Sequence, residues 1–424
     1  MYRRIMVMAL GVACGGGGGG ETRDGSPGPH DGTIVTPDPC DVAPACPVAP
    51  ALVRGGGLRT IDRCAFPLTP DDVGETDFRA AIAALPPQLS RVGMQDIAGD
   101  LNRVAVRVTS AQLPGDPPGF QRAYAWQAGD ESVAYWIPQG ISGSFDANPD
   151  GLVAGRKLVL VSWYYSREAD SGSLVEKGVR IAIADVTDPA DVRYRFALLV
   201  EPFLDAGRAS FRSVPVHAGG LAWIGDRLYV PITGSGFRVF DLSQILRIDG
   251  LEDRIGYDAT TDRYHAHSYA YAIPEIARYT STGACSPRFS FVALDRSSSP
   301  ASLISGEYDA ASIAGRLYRW PLAADGMLAR TDRGRVIADG AWFESESHVQ
   351  GALARDATFW LTSSRPAGTG GELVRTALDT PSVTLGWSDS PEDLALDPQA
   401  MTVWSVTEGL DARYLFEVAL GSID

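Results

Sequence analysis

Polar residues that could bind a ligand or transfer protons recur at matched positions of a repeated sequence pattern. In each copy of the pattern, a pair of polar or small residues precedes an apolar run. Gln139, Gln350 and Glu392 occupy the same position in three copies, and His217 and His348 lie two residues before that position in their own copies. Imidazole and carboxyl groups placed close together are typical of proton transfer. If the copies surround a common axis, these side chains converge. They then form either an acid–base site or a set of hydrogen bonds to neighbouring copies and channel water.

A second group has the spacing of a calcium-binding loop. Asp146, Asn148 and Asp150 alternate and precede Gly151, as in the first half of such a loop. The acidic residue expected at the twelfth position is missing, because Lys157 stands there. The segment predicts either a structural Ca²⁺ ion with further ligands from elsewhere or an Asx-rich turn without a metal.

His265 and His267 form an H-x-H pair, which on a strand would point both rings to one face. No third metal ligand is evident nearby, so exposed loop histidines are the alternative. Glu344 and Glu346 lie just before His348. They would either add ligands to a metal site or belong to a solvated loop. The sequence contains no G-x-S-x-G, H-E-x-x-H or phosphate-loop motif.

The N-terminus resembles a bacterial lipoprotein signal. Two arginines, an apolar stretch and small residues precede Cys14, the residue that such a signal would acylate. Gly11 stands where these signals prefer leucine, so an ordinary secretory signal and a chance prefix are the alternatives. We expect 1–14 to be the signal and 15–57, which begins with six glycines, to be a flexible linker. The protein would then be exported and lipid-anchored in the cell envelope, at the outer membrane or the cell surface.

Four further cysteines in an exported protein suggest two disulfides, with three connectivities open. We favour a local Cys40–Cys46 loop and a Cys64–Cys285 link to the domain. A metal site at these cysteines is disfavoured, because no C-x2-C pair is present.

Charge and hydropathy exclude two classes of partner. The formal net charge of -15 would repel nucleic acid. Beyond the N-terminus no window has the roughly 20 unbroken apolar residues of a spanning helix, so we expect membrane contact through the lipid anchor only. The apolar fraction of 45% is sufficient for a sizeable core.

The pattern predicts an all-β fold after one helix. Thr76–Leu89 has Phe78, Ala81 and Ile82 on one face. Beyond it, every copy of the repeat continues into two further β-rich runs. The second runs are 158–163, 227–230, 301–304, 358–361 and 402–405, and the third are 179–183, 237–241, 315–319, 372–375 and 413–417.

Antiparallel units repeated in this way are typical of a β-propeller, with five blades or, alternatively, six. We expect the propeller to span 126–424. Residues 58–125, a small helical and irregular segment, would pack on it and close it. The alternating run Asn102–Val108 is the predicted closing strand, because it would cover the open edge of the last copy.

The repeat segments resemble a group of uncharacterised secreted β-propeller-like proteins and lipoproteins of high-GC bacteria without assigned activity. The resemblance covers about 120 to 424 and implies the fold and export but no particular chemistry. It lies in W-I-P-Q-G-I-S-G-S (136–144), K-G-V-R-I-A-I-A-D-V-T-D-P (177–189), V-P-V-H-A-G-G-L-A-W-I-G-D-R-L-Y-V (214–230) and G-E-Y-D (306–309).

These patterns favour a non-catalytic surface module that binds a glycan, a peptide or a protein. The alternative is an extracellular hydrolase or lyase that acts at the channel mouth, with or without Ca²⁺. In that case His217, His348 and Glu392 are the catalytic candidates.

Overall fold

The computed structural model describes residues 36–42, 44–173, 175–366 and 368–424. The predicted signal with Cys14 and the glycine run lie outside the described residues. In the part of the chain that is described, no helix has the length and apolar character needed to cross a membrane.

The longest helix, α1 (Asp72–Ala84), lies in the N-terminal segment and buries Phe78, Ala81 and Ile82 as predicted. It begins four residues before the predicted start, because Asp71 caps it by accepting a hydrogen bond from the amide of Gly74. The same segment contains α2 (Met94–Ala98), β1 (Arg59–Thr60), β2 (Leu68–Pro70), β3 (Arg91–Val92), β4 (Arg103–Val104), β5 (Val106–Val108) and β6 (Phe120–Ala125), and α3 (Ala128–Glu131) follows it.

From residue 136 onward the regular secondary structure is β-strand, apart from α4 (Ser144–Ala147) and a single 3-10 turn at Leu420–Ser422. The predicted second and third runs all coincide with strands, although Ala301, Gly315 and Arg413 lie one residue before theirs. The strands are β7 (Trp136–Gly143), β8 (Leu158–Tyr165), β9 (Val179–Asp185), β10 (Arg193–Asp205), β11 (Arg208–Ser213), β12 (Ala222–Ile224), β13 (Arg227–Ile232), β14 (Gly236–Asp241), β15 (Ile245–Arg247), β16 (Ile255–Asp258), β17 (Arg263–Ala266), β18 (Tyr271–Ser281), β19 (Phe289–Asp295), β20 (Ser302–Glu307), β21 (Arg316–Pro321), β22 (Gly340–Phe343), β23 (Val349–Arg355), β24 (Thr358–Ser363), β25 (Gly371–Ala377), β26 (Thr380–Trp387), β27 (Pro391–Asp397), β28 (Thr402–Thr407) and β29 (Tyr414–Ala419).

These strands pair into antiparallel units of four. Among the described residues the units are A (β7–β8–β9–β10), B (β12–β13–β14–β18), C (β19–β20–β21–β22), D (β23–β24–β25–β26) and E (β27–β28–β29–β6). The outer strands of units A and B also pair with each other, in parallel, and β16–β17 forms a separate hairpin.

The first strands of the units, β7, β12, β19, β23 and β27, contact one another in that order, and β27 contacts β7 again. Each hydrophobic cluster contains residues of two neighbouring units; for example, Trp163 of unit A packs in one cluster with Trp404 of unit E. Antiparallel sheets arranged in a circle and packed face to face form a β-propeller.

A strand from the N-terminal segment closes the circle, but it is not the strand that the sequence predicted. The edge of β29 pairs with β6 (Phe120–Ala125), while β5 adds outside β6 and β4 pairs with β10. The run Asn102–Val108 therefore supplies short outer strands. β6 is the better placed partner because it lies only about ten residues before β7, so a short connection is enough to link units E and A.

The first strands approach one another backbone to backbone, which leaves no room for side chains at the contact points. A Cβ atom on Gly140 would lie 2.5 Å from Cα of Gly220, and one on Gly220 would lie 2.1 Å from the amide nitrogen of Val292. On the other side of the circle, a Cβ atom on Gly351 would lie 2.5 Å from Cα of Asp393. Glycine is required at these positions because any other residue would push two units apart.

Two disulfides attach the start of the described chain, one to the N-terminal segment and one to the propeller. Both pairs differ from the predicted ones: Cys40 pairs with Cys64, and Cys46 pairs with Cys285, at Cα–Cα distances of 5.5 and 5.1 Å. The predicted local loop is wrong because Asp38 pairs with Arg335 and carries Cys40 to the side of Cys64.

Residues 36–57 lie in the predicted linker. Within their described part, Thr36 bridges Thr331 and Arg54 pairs with Glu346 and Glu372, so this stretch is attached to the propeller.

We predict that Gly220→Ala destabilises the protein by roughly 1–3 kcal/mol, because the new Cβ atom overlaps the backbone of unit C. Thermal and urea unfolding measure the change. Gly129→Ala is the matched control, since a Cβ atom there meets nothing within 4 Å. An equal effect of the two substitutions would contradict the close-contact explanation.

Candidate functional site

A cavity of about 600 Å³ opens at the end of the circle where the first strands begin and the second strands end. Every unit contributes to its wall. The side chains with polar or aromatic groups include Tyr164 of unit A, His217 before unit B, Arg288 and Tyr308 of unit C, Gln350 of unit D and Glu408 of unit E.

Irregularities in strand register present polar side chains at this end. The pairing of the first strand with the second shifts between Pro138 and Ile141 in unit A, and the same shift recurs in units C, D and E. A bulge of this kind takes a residue out of the ladder and redirects its side chain. The shifts fall at the aligned residues Gln139, Gln350 and Glu392, and in unit C the shift falls at Ser290, which is the corresponding residue there.

These polar residues form two hydrogen-bonded pairs. Gln139 Nε2 donates to Glu408 Oε2 at 2.9 Å, and Gln350 Nε2 donates to Glu392 Oε1 at 3.2 Å. Glu392 is buried, and its second oxygen has no partner among the described residues. The structure thus brings Gln139, Gln350 and Glu392 to one end of the circle and adds Glu408.

Desolvation shifts the titration of the groups at the cavity. Burial raises the pKa of Glu392 well above its ordinary range, and the nearby charges of Glu408 and Asp393 raise it further. Burial also raises the pKa of Glu408, although the hydrogen bond from Gln139 opposes the shift. Desolvation lowers the pKa of His217. The site therefore favours neutral carboxyl groups beside a neutral imidazole.

The two histidines predicted to act together occupy different surroundings. His217 remains accessible at the cavity, where its ring lies 4.2 Å from that of Tyr164. His348 is outside the cavity wall; its ring meets the edge of Tyr308 at 5.8 Å, and its Nδ1 atom lies 3.1 Å from the hydroxyl of Ser347. Only His217 is thus available to a ligand in the cavity.

Asp393 crosses the centre of the circle beneath the cavity. Its Oδ2 atom accepts hydrogen bonds from the amides of Ile141 and Leu221, each at 3.2 Å, and so connects unit E with units A and B. Burial raises the pKa of this carboxyl well above its ordinary range, even though the backbone hydrogen bonds lower it. Together with the glycine contacts, this side chain fills the space between the first strands.

Sequence reasoning missed Arg288, although the repeat contained a signal for it. Arg288 lies two residues before Ser290, the same offset that singled out His217 and His348. Tyr308 and Glu408 follow directly after the second strands of their units, a position that the alignment of first strands did not cover.

The predicted calcium ligands all have protein partners. Asp146 is paired with Arg296 at 2.8 Å and accepts from Ser142, while Asn148 and Asp150 both bond to the backbone of Leu152. These contacts form the turn that was the alternative, and the Ca²⁺ site stays a prediction.

The remaining candidates lie elsewhere. Glu344 is buried, and Glu346 is buried and paired with Arg54, so the solvated loop offered as an alternative is wrong. His265 and His267 are buried in the region of the β16–β17 hairpin, so the alternative of exposed loop histidines is wrong as well.

The sequence matches no protein-family model, and no curated protein matches it either. Solved structures with a similar chain path include a gluconolactonase from Xanthomonas campestris, with 12% identity, 74% of this chain and 96% of that chain covered, and a TM-score of 0.30. PhoX from Pseudomonas fluorescens has 7% identity, 79% and 98% coverage and a TM-score of 0.34. The β-propeller domain of Cps50 (Swd1) from Myceliophteria thermophila has 12% identity, 66% and 82% coverage and a TM-score of 0.28. At these values the similarities carry no argument about chemistry.

We predict that Glu392→Gln stabilises the protein at neutral and alkaline pH. The raised pKa means that the folded state keeps this proton to a higher pH than the unfolded chain, whose ordinary value is 4.5. The stability from this group is complete below that value and is lost as the pH rises through the raised pKa. Glutamine removes the loss and retains an acceptor for Gln350.

Urea unfolding across the pH range measures this effect. At about pH 8 we expect the variant to gain about 1 kcal/mol or more, since a tenfold change in proton affinity corresponds to about 1.4 kcal/mol. At about pH 4 the two proteins should converge. The exposed Glu168 provides the control Glu168→Gln, which should leave the profile unchanged. Parallel profiles for wild type and Glu392→Gln would show that Glu392 is not held neutral.

Proposed function

We propose that the protein is a five-bladed propeller, with units A to E as its blades, that binds a polar ligand carrying an anionic group at the cavity. The ligand class that this chemistry favours is an acidic saccharide. The observation that carries the proposal is Arg288, whose exposed side chain lines the cavity and has no ion pair among the described residues.

The remainder of the cavity suits a saccharide. Tyr164 and His217 present neighbouring rings, and such faces pack against the apolar faces of sugars. Gln350 and Glu408 offer hydrogen-bonding groups on two neighbouring units of the circle. A cavity with a few convergent polar groups and aromatic walls is typical of a small-molecule site. A guanidinium group recognises a carboxylate through two parallel hydrogen bonds.

The first test is binding of galacturonic acid oligomers by calorimetry, with galactose oligomers of equal length as the neutral comparison. We expect the acidic oligomer to bind and Arg288→Gln to weaken it by about tenfold or more, because a charge-assisted hydrogen bond is lost. The control is Arg263→Gln, an exposed arginine of β17 that also lacks an ion pair among the described residues. Equal affinity of Arg288→Gln and wild type, or preference for the neutral oligomer, would contradict the proposal.

Glu408 supports a second candidate function, a hydrolase or lyase at the same cavity. A carboxyl group with a raised pKa and an imidazole with a lowered pKa are the complementary states of an acid and a base. If the acidic oligomer is cleaved during the titration and Glu408→Gln stops cleavage while binding persists, the enzyme is favoured over the binding module.

We further propose that the protein is exported and lipid-anchored through Cys14, as the lipoprotein-like N-terminus indicates. The two disulfides support an oxidising compartment. Mass spectrometry of protein from the native membrane fraction should find an acylated Cys14 at the N-terminus. Cys14→Ala should move the protein out of that fraction, whereas Cys14→Ala protein that stays with the membranes would refute the anchor.

A further inference from the structure

Three side chains with metal-binding chemistry converge outside the cavity, at the β16–β17 hairpin and the loop before it. One carboxylate oxygen each of Glu252 and Asp258 and one ring nitrogen of His265 lie within 4.8 Å of one another. They come from the loop, from the end of β16 and from β17. Folding therefore brings Glu252 and Asp258 to His265, although the sequence around the H-x-H pair showed no further ligand.

Backbone hydrogen bonds hold the loop against the hairpin. The amide of Gly250 donates to the carbonyl of Tyr264 at 3.0 Å, and the amide of Ser268 donates to the carbonyl of Glu252 at 3.2 Å. Asp258 is fixed by the register of the hairpin, opposite Arg263. The main chain thus places the three residues beside one another.

His265 is the independent sign that a ligand belongs here. The residue is 1% exposed, and its Nδ1 atom has no hydrogen-bond partner among the described residues. Its Nε2 atom lies 3.5 Å from the hydroxyl of Thr261, which is 3.2 Å from Asp258 Oδ2. A buried imidazole with such incomplete hydrogen bonding costs free energy unless another group satisfies it.

Arg254 now lies where a cation would be expected. Its guanidinium group is 3.1 Å from Glu252 and 2.9 Å from Asp258, so it neutralises both carboxylates. Because the Arg254 side chain is 58% exposed, it can move into solvent at small cost. The charge balance of the cluster therefore permits exchange of the guanidinium group for a metal ion.

We propose that Glu252, Asp258 and His265 bind a divalent transition metal ion of the zinc class and that Arg254 moves aside when it binds. One imidazole and two carboxylates suit zinc and disfavour calcium, which prefers oxygen ligands only. The ion would join the loop to the hairpin. Tyr257 and Tyr264 of that hairpin line a second cavity, of about 610 Å³, so the metal would stiffen its wall. This inference is independent of the function proposed for the channel mouth.

The test is calorimetric titration of the EDTA-treated, dialysed full chain with ZnCl2, followed by metal analysis of the dialysed complex. We expect one ion per chain. His265→Gln should weaken binding by roughly tenfold or more, because one of three protein ligands is lost. Arg254→Gln should strengthen it, because the competing cation is gone. His267→Gln is the matched control, since His267 pairs with Asp253 and is outside the cluster.

The variant Glu252→Gln tests the same site at a residue whose substitution should not disturb folding. Glu252 is exposed, so its substitution should leave the unfolding temperature unchanged and still lower zinc affinity. The proposal fails if the wild-type chain takes up no zinc, if His265→Gln and His267→Gln weaken binding equally, or if Arg254→Gln weakens it.

Discussion

The close approach of the first strands is the constraint on which the rest of the structure depends. These strands surround an axis with so little space that glycines stand where neighbouring backbones touch. Asp393 occupies what remains of the centre and accepts amide hydrogen bonds from two other units. Since burial raises the pKa of this carboxyl, the centre is held by a group that is most stable when neutral. Units packed this tightly cannot move independently of one another.

The chemistry of the channel mouth follows from that tight centre. Asp393 lies below the cavity, so a ligand would enter from one end only and meet a wall to which each unit contributes. The register shifts turn polar residues of the first strands toward this cavity. The same enclosure removes water from Glu392 and Glu408, which raises the pKa of each carboxyl. The close packing of the first strands and the raised pKa values of Glu392 and Glu408 thus have the same structural cause.

The N-terminal segment covers the edge of β29, which would otherwise be unpaired. β6 completes unit E immediately before the chain enters unit A, so the first and last parts of the propeller share one sheet. The disulfides attach the stretch before it to Cys64 and to Cys285, near the start of unit C. Covalent links between distant segments restrict the unfolded chain, which is one source of their stabilising effect.

Several features were readable from the sequence because they depend on local pattern. Alternating apolar residues placed the second and third strands of every unit, and the helical spacing of Phe78, Ala81 and Ile82 identified α1. The aligned polar positions Gln139, Gln350 and Glu392 were readable because equivalent positions of repeated units occupy equivalent places.

Only the tertiary structure decided which distant segments meet. Four features depend on contacts that form only when the chain folds. They are the cysteine pairing, the closure by β6, the separation of His217 from His348 and the approach of His265 to Glu252. Local pattern carries no information about such distances. The sequence by itself determined the strands and the repeat of this protein, whereas the folded chain determined the site, because a site is a set of distances across the circle of units.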